Sequence, residues 1–406
     1  MPDYELYVGI DWATQQHQVC IVDAAGGRRE ERQVAHSGAG LTGLVDYLTS
    51  LVTDPARIAV AIEVPRGAIV DVLLERGCHV YALNPKQLDR FRDRHTVAGA
   101  KDDRRDAYVL GDALRTDRPA FRRLAVEAPE VIQLRDLARV HGELVEETGR
   151  LTNRLREQLW RFYPQALRLC PAADQPWFWA LVHAAPTPAA AQRLTRGAVA
   201  ALLARYRVRR LTAAEVLEGL RAPSLHVAPG TVEAAQEHVG LLLPRLTLVH
   251  EQRGRVERRL DALLATAAGP DDQPEHRDVT ILRSLPGVGR LVAATMLAEA
   301  SRPLAARDYQ TLRAQAGVAP VTRQSGKLRQ VLMRRSCNTR LRHAVFHWAR
   351  NSIRLDARAA DQYRRLRERH GHARALRGVA DRLLRVLVAM LTSRTVYEPR
   401  LSLLGA

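Results

Sequence analysis

Two short, almost wholly apolar runs in the first third of the chain each end on a lone carboxylate. Asp11 closes LYVGI within LYVGIDWATQQHQVCIVD, and Glu63 follows IAVAI within IAVAIEVPRGA. Runs of this length and apolarity predict strands buried in a sheet. A carboxylate is tolerated there only where the strand opens onto a polar site. A third segment, AKDDRRDAYVLGDALR at 100–115, reads as a helix. Asp103 and Asp106 are three apart, so a helix presents both on one face. Asp102 with Asp106, at i and i+4, is the alternative pairing, and Asp112 reads as solvated. Carboxylates gathered from two strands and a helix repel one another unless cations neutralise them. An oxygen-only set suits Mg²⁺, and paired ions can clamp the attacking and leaving oxygens of a phosphoryl transfer.

The surrounding pattern says what carries these acids. LYVGI and QVCIVD read as two strands joined tightly, with Gly26 and Gly27 turning the chain onward. HSGAGLTGLVDYLTSLV reads as an amphipathic helix, IAVAIEV as a strand, 65–76 as a helix, and CHVYALNP as a further strand. Strands alternating with helices predict a mixed α/β sheet over residues 1–125. Acids on the first strand and a later one fit a ribonuclease-H-like arrangement.

From about Val131 the texture changes to long helices. Leu137, Leu144 and Leu151 recur at seven, beside Thr148, Leu155 and Phe162. Later, Leu242, Leu246, Val249, Arg253, Val256, Leu260 and Leu263 alternate steps of four and three. These seams predict a coiled-coil or helical segment over 126–270, serving as an antiparallel arm or packing only within its own domain. A Pro/Ala-rich region (Pro171 to Pro188, then Pro223 to Pro229) interrupts it. AAGPDDQPEH at 267–276 reads as a linker into a last, helical and very basic domain, 271–406.

The charge balance narrows the partners. The 406 residues carry 62 Lys and Arg against 44 acids, a formal net charge of +18, most of it arginine. Guanidinium forks match phosphate geometry, so a nucleic acid is expected ahead of an anionic membrane. The plain alternative is arginine used freely on solvated faces. No segment has the length and apolarity of a membrane span, and the first residues lack a signal-peptide layout, which predicts a cytoplasmic protein. The four scattered cysteines (Cys20, Cys78, Cys170, Cys337) predict buried thiols, with neither a disulfide framework nor a zinc site.

Two C-terminal motifs carry chemistry. LRSLPGVGRLVAATMLAE at 282–299 has the layout of a helix-hairpin-helix. Gly287 and Gly289 are expected to take positive φ, and the helix from Arg290 to aim its N-terminus at a phosphate. A plain helical turn is the simpler reading. In GVAPVTRQSGKLRQ at 317–330, Ser325 precedes Gly326 among Arg323, Lys327 and Arg329. A hydroxyl among cations can attack a phosphodiester, but a Ser-Gly pair is ordinarily only a turn. Composition alone does not mark Ser325 as a nucleophile. Asn338, Arg340 and Arg342 are candidate phosphate contacts; helical arginines are ordinarily generic backbone binders. Trp160, Trp177 and Trp179 stack on bases or fill small cores. His17 and His95 flank acidic positions without a pattern that assigns them a role.

Taken in order, GIDWA, IEVP, KDDRRDA, LPGVG, GVAPVTRQSGK and CNTRLR resemble the IS110/IS1111 family of transposases over nearly the whole chain. The resemblance implies a RuvC-like, RNase H-like N-terminal domain with a DEDD acid set. It further implies a coiled-coil segment and a C-terminal transposase domain with a catalytic serine. On this chain the tetrad falls on Asp11, Glu63, Asp103 and Asp106, holding Mg²⁺, and the serine on Ser325. It also implies DNA at element ends and target, a guide RNA from the element itself, and a homo-dimer or tetramer with sites composed from different subunits. Two positions depart from the family pattern. Thr14-Gln15-Gln16 stands where a lysine is common after the first aspartate, and Cys337-Asn338 replaces Gly-Asn. The rival readings are a RuvC-like structure-specific nuclease using metal-activated water, and a nucleic-acid-binding scaffold whose acidic site has decayed.

Overall fold

The computed structural model describes residues 4–83, 85–94, 102–268, 278–326 and 328–398. It divides into two compact units, 1–128 and 129–406. The first holds β1 (Leu6–Asp11), β2 (Gln16–Asp23), β3 (Arg28–Ala35), α1 (Gly38–Ser50), β4 (Ile58–Ile62), α2 (Ala68–Glu75), β5 (His79–Ala82), α3 (Pro85–Arg92), α4 (Asp103–Thr116) and β6 (Arg122–Arg123). The sheet order is β3-β2-β1-β4-β5-β6. The first three strands form an antiparallel meander; β1, β4 and β5 are parallel, and β6 closes the edge antiparallel to β5. The expected mixed α/β sheet is therefore present, with two strands more than the sequence reading gave.

Helices cover both faces. Leu6, Val8 and Ile10 of β1 enter a core with Leu41, Leu44, Leu48, Ile69 and Leu73 of α1 and α2. Tyr7, Ala59, Ala61 and Tyr81 face Leu88 of α3 and Ala107, Leu110 and Leu114 of α4. The α4 face is lined by small residues because the helix lies almost on the strand. A Cβ at Gly9 would stand 1.8 Å from the Ala107 carbonyl oxygen and 2.6 Å from the Gly111 nitrogen.

The second unit opens with α5 (Pro129–Phe162), then α6 (Pro164–Leu169), α7 (Pro176–Ala184), α8 (Pro188–Arg193), α9 (Arg196–Arg205), α10 (Ala213–Arg221) and α11 (Thr231–Ala268). After α11 come α12 (Asp278–Ser284), α13 (Arg290–Glu299), α14 (Ser301–Ala305), α15 (Tyr309–Gln315), β7 (Val321–Ser325), β8 (Leu328–Leu332), α16 (Thr339–Leu355), α17 (Ala357–Arg369) and α18 (His372–Ser393). The Pro/Ala-rich stretch does not merely interrupt two helices. Pro176 and Pro188 within it, like Pro164 just before it, each open a helix in its first turn, where the missing N–H costs nothing.

Helices α5 and α11 run side by side in opposite directions: Arg259 donates to Gln133 at 3.2 Å and His141 bonds Glu257 at 3.1 Å. Most of the predicted seam residues are buried, with Leu137, Leu144, Arg253 and Val256 only partly so. Leu151, Leu155 and Phe162 meet Leu242, Leu246 and Val249 in a core completed by α6–α10, where Trp177 and Trp179 are buried. At the other end Leu134, Leu260, Leu263 and Leu264 join the core of α12–α18 around Trp348. Each such leucine stabilises by roughly 1.5–3 kcal/mol on burial. The pair is thus a spine shared by two cores. The expected linker lies largely outside the described residues. No helix among the described residues is long and apolar enough to cross a membrane.

Candidate active site

Strand register brings the first two acids together. Ile10 of β1 pairs with Ile62 of β4 in parallel, so the next residues, Asp11 and Glu63, lie side by side at the same end of the sheet. Side chains alternate along a strand. Asp11 therefore follows Tyr7 and Gly9 onto the α4 face, and Glu63 continues the parity of Ala59 and Ala61. Helix α4 runs against the direction of β1: Gly111 abuts the Tyr7 carbonyl and the Gly9 nitrogen, while Gly9 abuts Ala107. One turn back along α4 from Ala107 is Asp103, and two residues on from Gly9 is Asp11. A helical turn rises about 5.4 Å and two strand residues about 6.7 Å. The first turn of α4, with Asp103 and Asp106, thus sits level with Asp11.

Asp102 is the N-cap of α4, accepting from the Arg104 backbone N–H at 3.1 Å. Asp103 is the first helical residue and exposed, and Asp106 is 1% exposed. Among the described residues no three acids, histidines or cysteines stand close enough to hold one ion. Asp106 is instead gripped by Arg92 at the end of α3, whose Nε and Nη2 donate to its two carboxylate oxygens at 2.5 and 2.6 Å. Hydrogen bonding to Asp106, with smaller help from Asp89 and Glu63, holds the Arg92 guanidinium even more firmly in its charged form. The sequence offered no signal for Arg92, one of three arginines in RFRDR (91–94 and the preceding Arg90), because its partner is fourteen residues away.

His17 is fully buried and bonded through Nε2 to Nδ1 of His36 at 2.8 Å. Burial, then the neighbouring His36, lowers its pKa, which favours a neutral ring. His95 lies outside the described residues. Burial pushes the Cys20 and Cys78 thiols up to about 11, which makes them inert packing groups.

In the second unit, Ser325 is the last residue of β7 and pairs with Leu328 of β8, so the hairpin turns tightly after Ser325. Gly326 takes φ +54°, the left-handed geometry such a turn demands. Ser325, Arg323 and Arg329 are exposed. Lys327 lies outside the described residues. At the foot of the hairpin Asn338 caps α16, accepting from the Leu341 N–H at 3.1 Å and donating to Glu299 at 2.7 Å. Arg340 is exposed on the first turn of α16, and Arg342 is half-buried beside Gly317. Replacing Asn338 with Ala removes both bonds, and we expect a loss of about 1–2 kcal/mol, read as a lower urea midpoint.

The Leu-Pro-Gly-Val-Gly turn corrects one expectation. Gly287 takes φ +84°, but Gly289 is extended at φ −86° and caps α13. The need at Gly287 is close packing, since a Cβ there would stand 2.8 Å from the Ser352 nitrogen. Trp348 Nε1 and Ser352 Oγ both donate to the Pro286 carbonyl, at 3.0 and 2.7 Å, which docks the turn on α16. Arg290 is exposed in part but ion-paired with Asp261 at 2.7 Å. Trp177 and Trp179 are core residues, whereas Trp160 is 67% exposed.

Comparison with known proteins identifies the family. A family model described as transposase, of the DEDD IS110 type, matches residues 8–164, which contain all four acids. A second, described as transposase IS116/IS110/IS902 family, matches 279–364, which contain Ser325 and the Pro-Gly turn. The chain is 34% identical to the mini-circle putative transposase for IS117 of Streptomyces coelicolor, over 97% of this chain and 95% of that one. It is 48% identical to the putative transposase y4uE of Sinorhizobium fredii, over 51% of this chain and 58% of that one. It is also 29% identical to an IS110 insertion-element protein of Streptomyces coelicolor, over 98% and 97% of the two chains.

Proposed function

The chain belongs to the IS110/IS116 family of transposases, and on that premise we propose that it cuts and rejoins DNA at the ends of an insertion element through a serine nucleophile. The observation that carries the reading is the register that sets Asp11 beside Glu63 with Asp103 and Asp106 of α4 level with them. The sheet order and this placement of acids support a RuvC-like, ribonuclease-H-like domain.

The donor atoms are of the kind a divalent cation takes, although no three of these acids stand close enough here to hold one ion. All four groups are hard carboxylate oxygens, and the deeply buried Asp106 already keeps its charge against a cation, Arg92. Asp11, Glu63, Asp103 and Asp106 would hold Mg²⁺, which when bound polarises a phosphodiester oxygen and offsets developing charge. The Ser325 Oγ attacks the scissile phosphorus and loses its proton, and the 3′ oxygen leaves as the alcohol, giving a 5′-phosphoserine link. Arg323 and Arg329, with Lys327, offset the charge that builds on the phosphorus oxygens. Rejoining reverses the step with a different 3′ hydroxyl, so the phosphodiester energy is conserved.

Three further parts belong to this proposal. The α12–α13 turn acts as a helix-hairpin-helix contact to a nucleic-acid backbone, with Gly287, Gly289 and Arg290, and Arg340 and Arg342 add phosphate contacts. The α5–α11 pair serves as a coiled-coil arm in a dimer or tetramer. An RNA from the element directs the choice of DNA.

The test is covalent trapping. Purified full-length protein, Mg²⁺, element-end DNA and RNA transcribed from the element's flank are mixed and separated on a denaturing gel. A protein–DNA adduct that Asp11→Asn abolishes is the expected result. Cleavage without an adduct would overturn the serine chemistry in favour of metal-activated water. An adduct of equal yield in Asp11→Asn would overturn the role of the acids.

A further inference from the structure

Arg92 uses three of its nitrogens on two carboxylates of very different exposure. Nε and Nη2 form a fork on both oxygens of Asp106, whose side chain is 2% exposed, and Nη1 donates at 2.6 Å to Asp89, whose side chain is 66% exposed. We propose that Arg92 is a resident counter-ion of the acidic site, which holds Asp106 while the site is empty and swings out onto Asp89 when a divalent cation takes Asp106. The proposal rests on the reading of the four acids as a metal site.

Three physical facts lead there. A bidentate guanidinium takes both oxygens along the in-plane directions a metal ion would use, so the two cations compete for one carboxylate. Arginine does not shed its proton in a protein, so only movement can remove the competing charge. Movement has a landing place. Asp89 lies one helical turn back on the same helix and is already bonded, so release of Asp106 does not strand the guanidinium. Neither end state leaves a buried charge alone, which is the condition for a workable exchange. Arg92 is therefore a positioning residue that sets the affinity of the site.

The rival is a permanent clamp that fastens α3 to α4 and never yields. Mn²⁺ binding to the full-length protein, followed by the electron paramagnetic resonance signal of free Mn²⁺, separates the two without measuring activity. Arg92→Gln, confirmed folded by circular dichroism, is expected to bind Mn²⁺ at least about tenfold more tightly than wild type, because a charge-assisted competitor is gone. Asp89→Asn, on the exposed end and harmless to folding, is expected to bind it several-fold more weakly, because Arg92 loses its alternative partner. Unchanged or weaker binding by Arg92→Gln would overturn the proposal, as would unchanged binding by Asp89→Asn if the Arg92 variant does not fold. Asp11→Asn tests the underlying reading separately. If it binds Mn²⁺ as wild type does, the metal site itself falls, whatever Arg92 does.

Discussion

Ser325→Ala is expected to cut strand transfer by on the order of 10⁴-fold or more and to leave the protein's stability unchanged. The size follows from the chemistry: an alanine offers no oxygen to form the phosphoserine, and a water molecule attacking instead yields hydrolysis, which cannot be rejoined. The harmlessness follows from the geometry. Ser325 is exposed, its contribution to the β7–β8 ladder is made by backbone groups, and the turn depends on Gly326 at φ +54° rather than on the serine hydroxyl. Strand-transfer rates and a thermal melt, measured on one preparation, check both halves. A variant that melts with wild type yet retains strand transfer within tenfold would rule out Ser325 as the nucleophile. A variant that loses strand transfer but still nicks DNA would assign the residual cleavage to the acidic site.

How far such roles can be read from sequence depends on the range of the interaction that creates them. Asp11 and Glu63 were legible because each ends a run whose apolar pattern fixes a strand, and parallel strands ending alike bring their last residues together. Helical spacing sufficed to place Asp103 and Asp106 together in the first turn of α4, but not to show that Asp103 is exposed while Asp106 is buried against Arg92. Strand β3 was not legible: RREERQVA has the charge of a solvated edge, and it is a strand because it pairs with β2, which is a tertiary fact. Strand β6, two arginines against β5, is missed for the same reason. Arg92 and Arg290 look alike in the sequence, yet one grips Asp106 and the other Asp261. Which arginine meets which acid is set by how helices pack, and a chain this rich in arginine offers many decoys. Gly287 and Gly289 likewise look alike in the sequence, yet only Gly287 takes a positive φ and packs on Asn351 and Ser352, on a helix more than sixty residues later.

Gly9→Ala is expected to destabilise the first unit by about 3 kcal/mol or more and to abolish divalent-metal binding with it. An added Cβ would sit 1.8 Å from the Ala107 carbonyl oxygen and 2.6 Å from the Gly111 nitrogen, and both are backbone atoms of α4. No rotamer change relieves a backbone contact, so either α4 backs away from the sheet or β1 buckles. Movement of α4 forfeits the packing of Ala107, Leu110 and Leu114 against Tyr7, Ala59 and Ala61. It also lifts Asp103 and Asp106 away from Asp11 and Glu63, so the fold and the site share one vulnerable contact. Two other glycines calibrate the effect. Gly111→Ala meets its neighbours at 3.1–3.3 Å, so a smaller loss is expected. Gly43→Ala, exposed in α1 with nothing within 4 Å, should stabilise by about 0.5–1 kcal/mol, because alanine is the better helix former. Urea unfolding of the three variants, with Mn²⁺ binding measured on each, gives the ranking. A Gly9→Ala protein as stable as wild type would mean that α4 does not lie on β1. The acids of α4 would then have no structural route to Asp11.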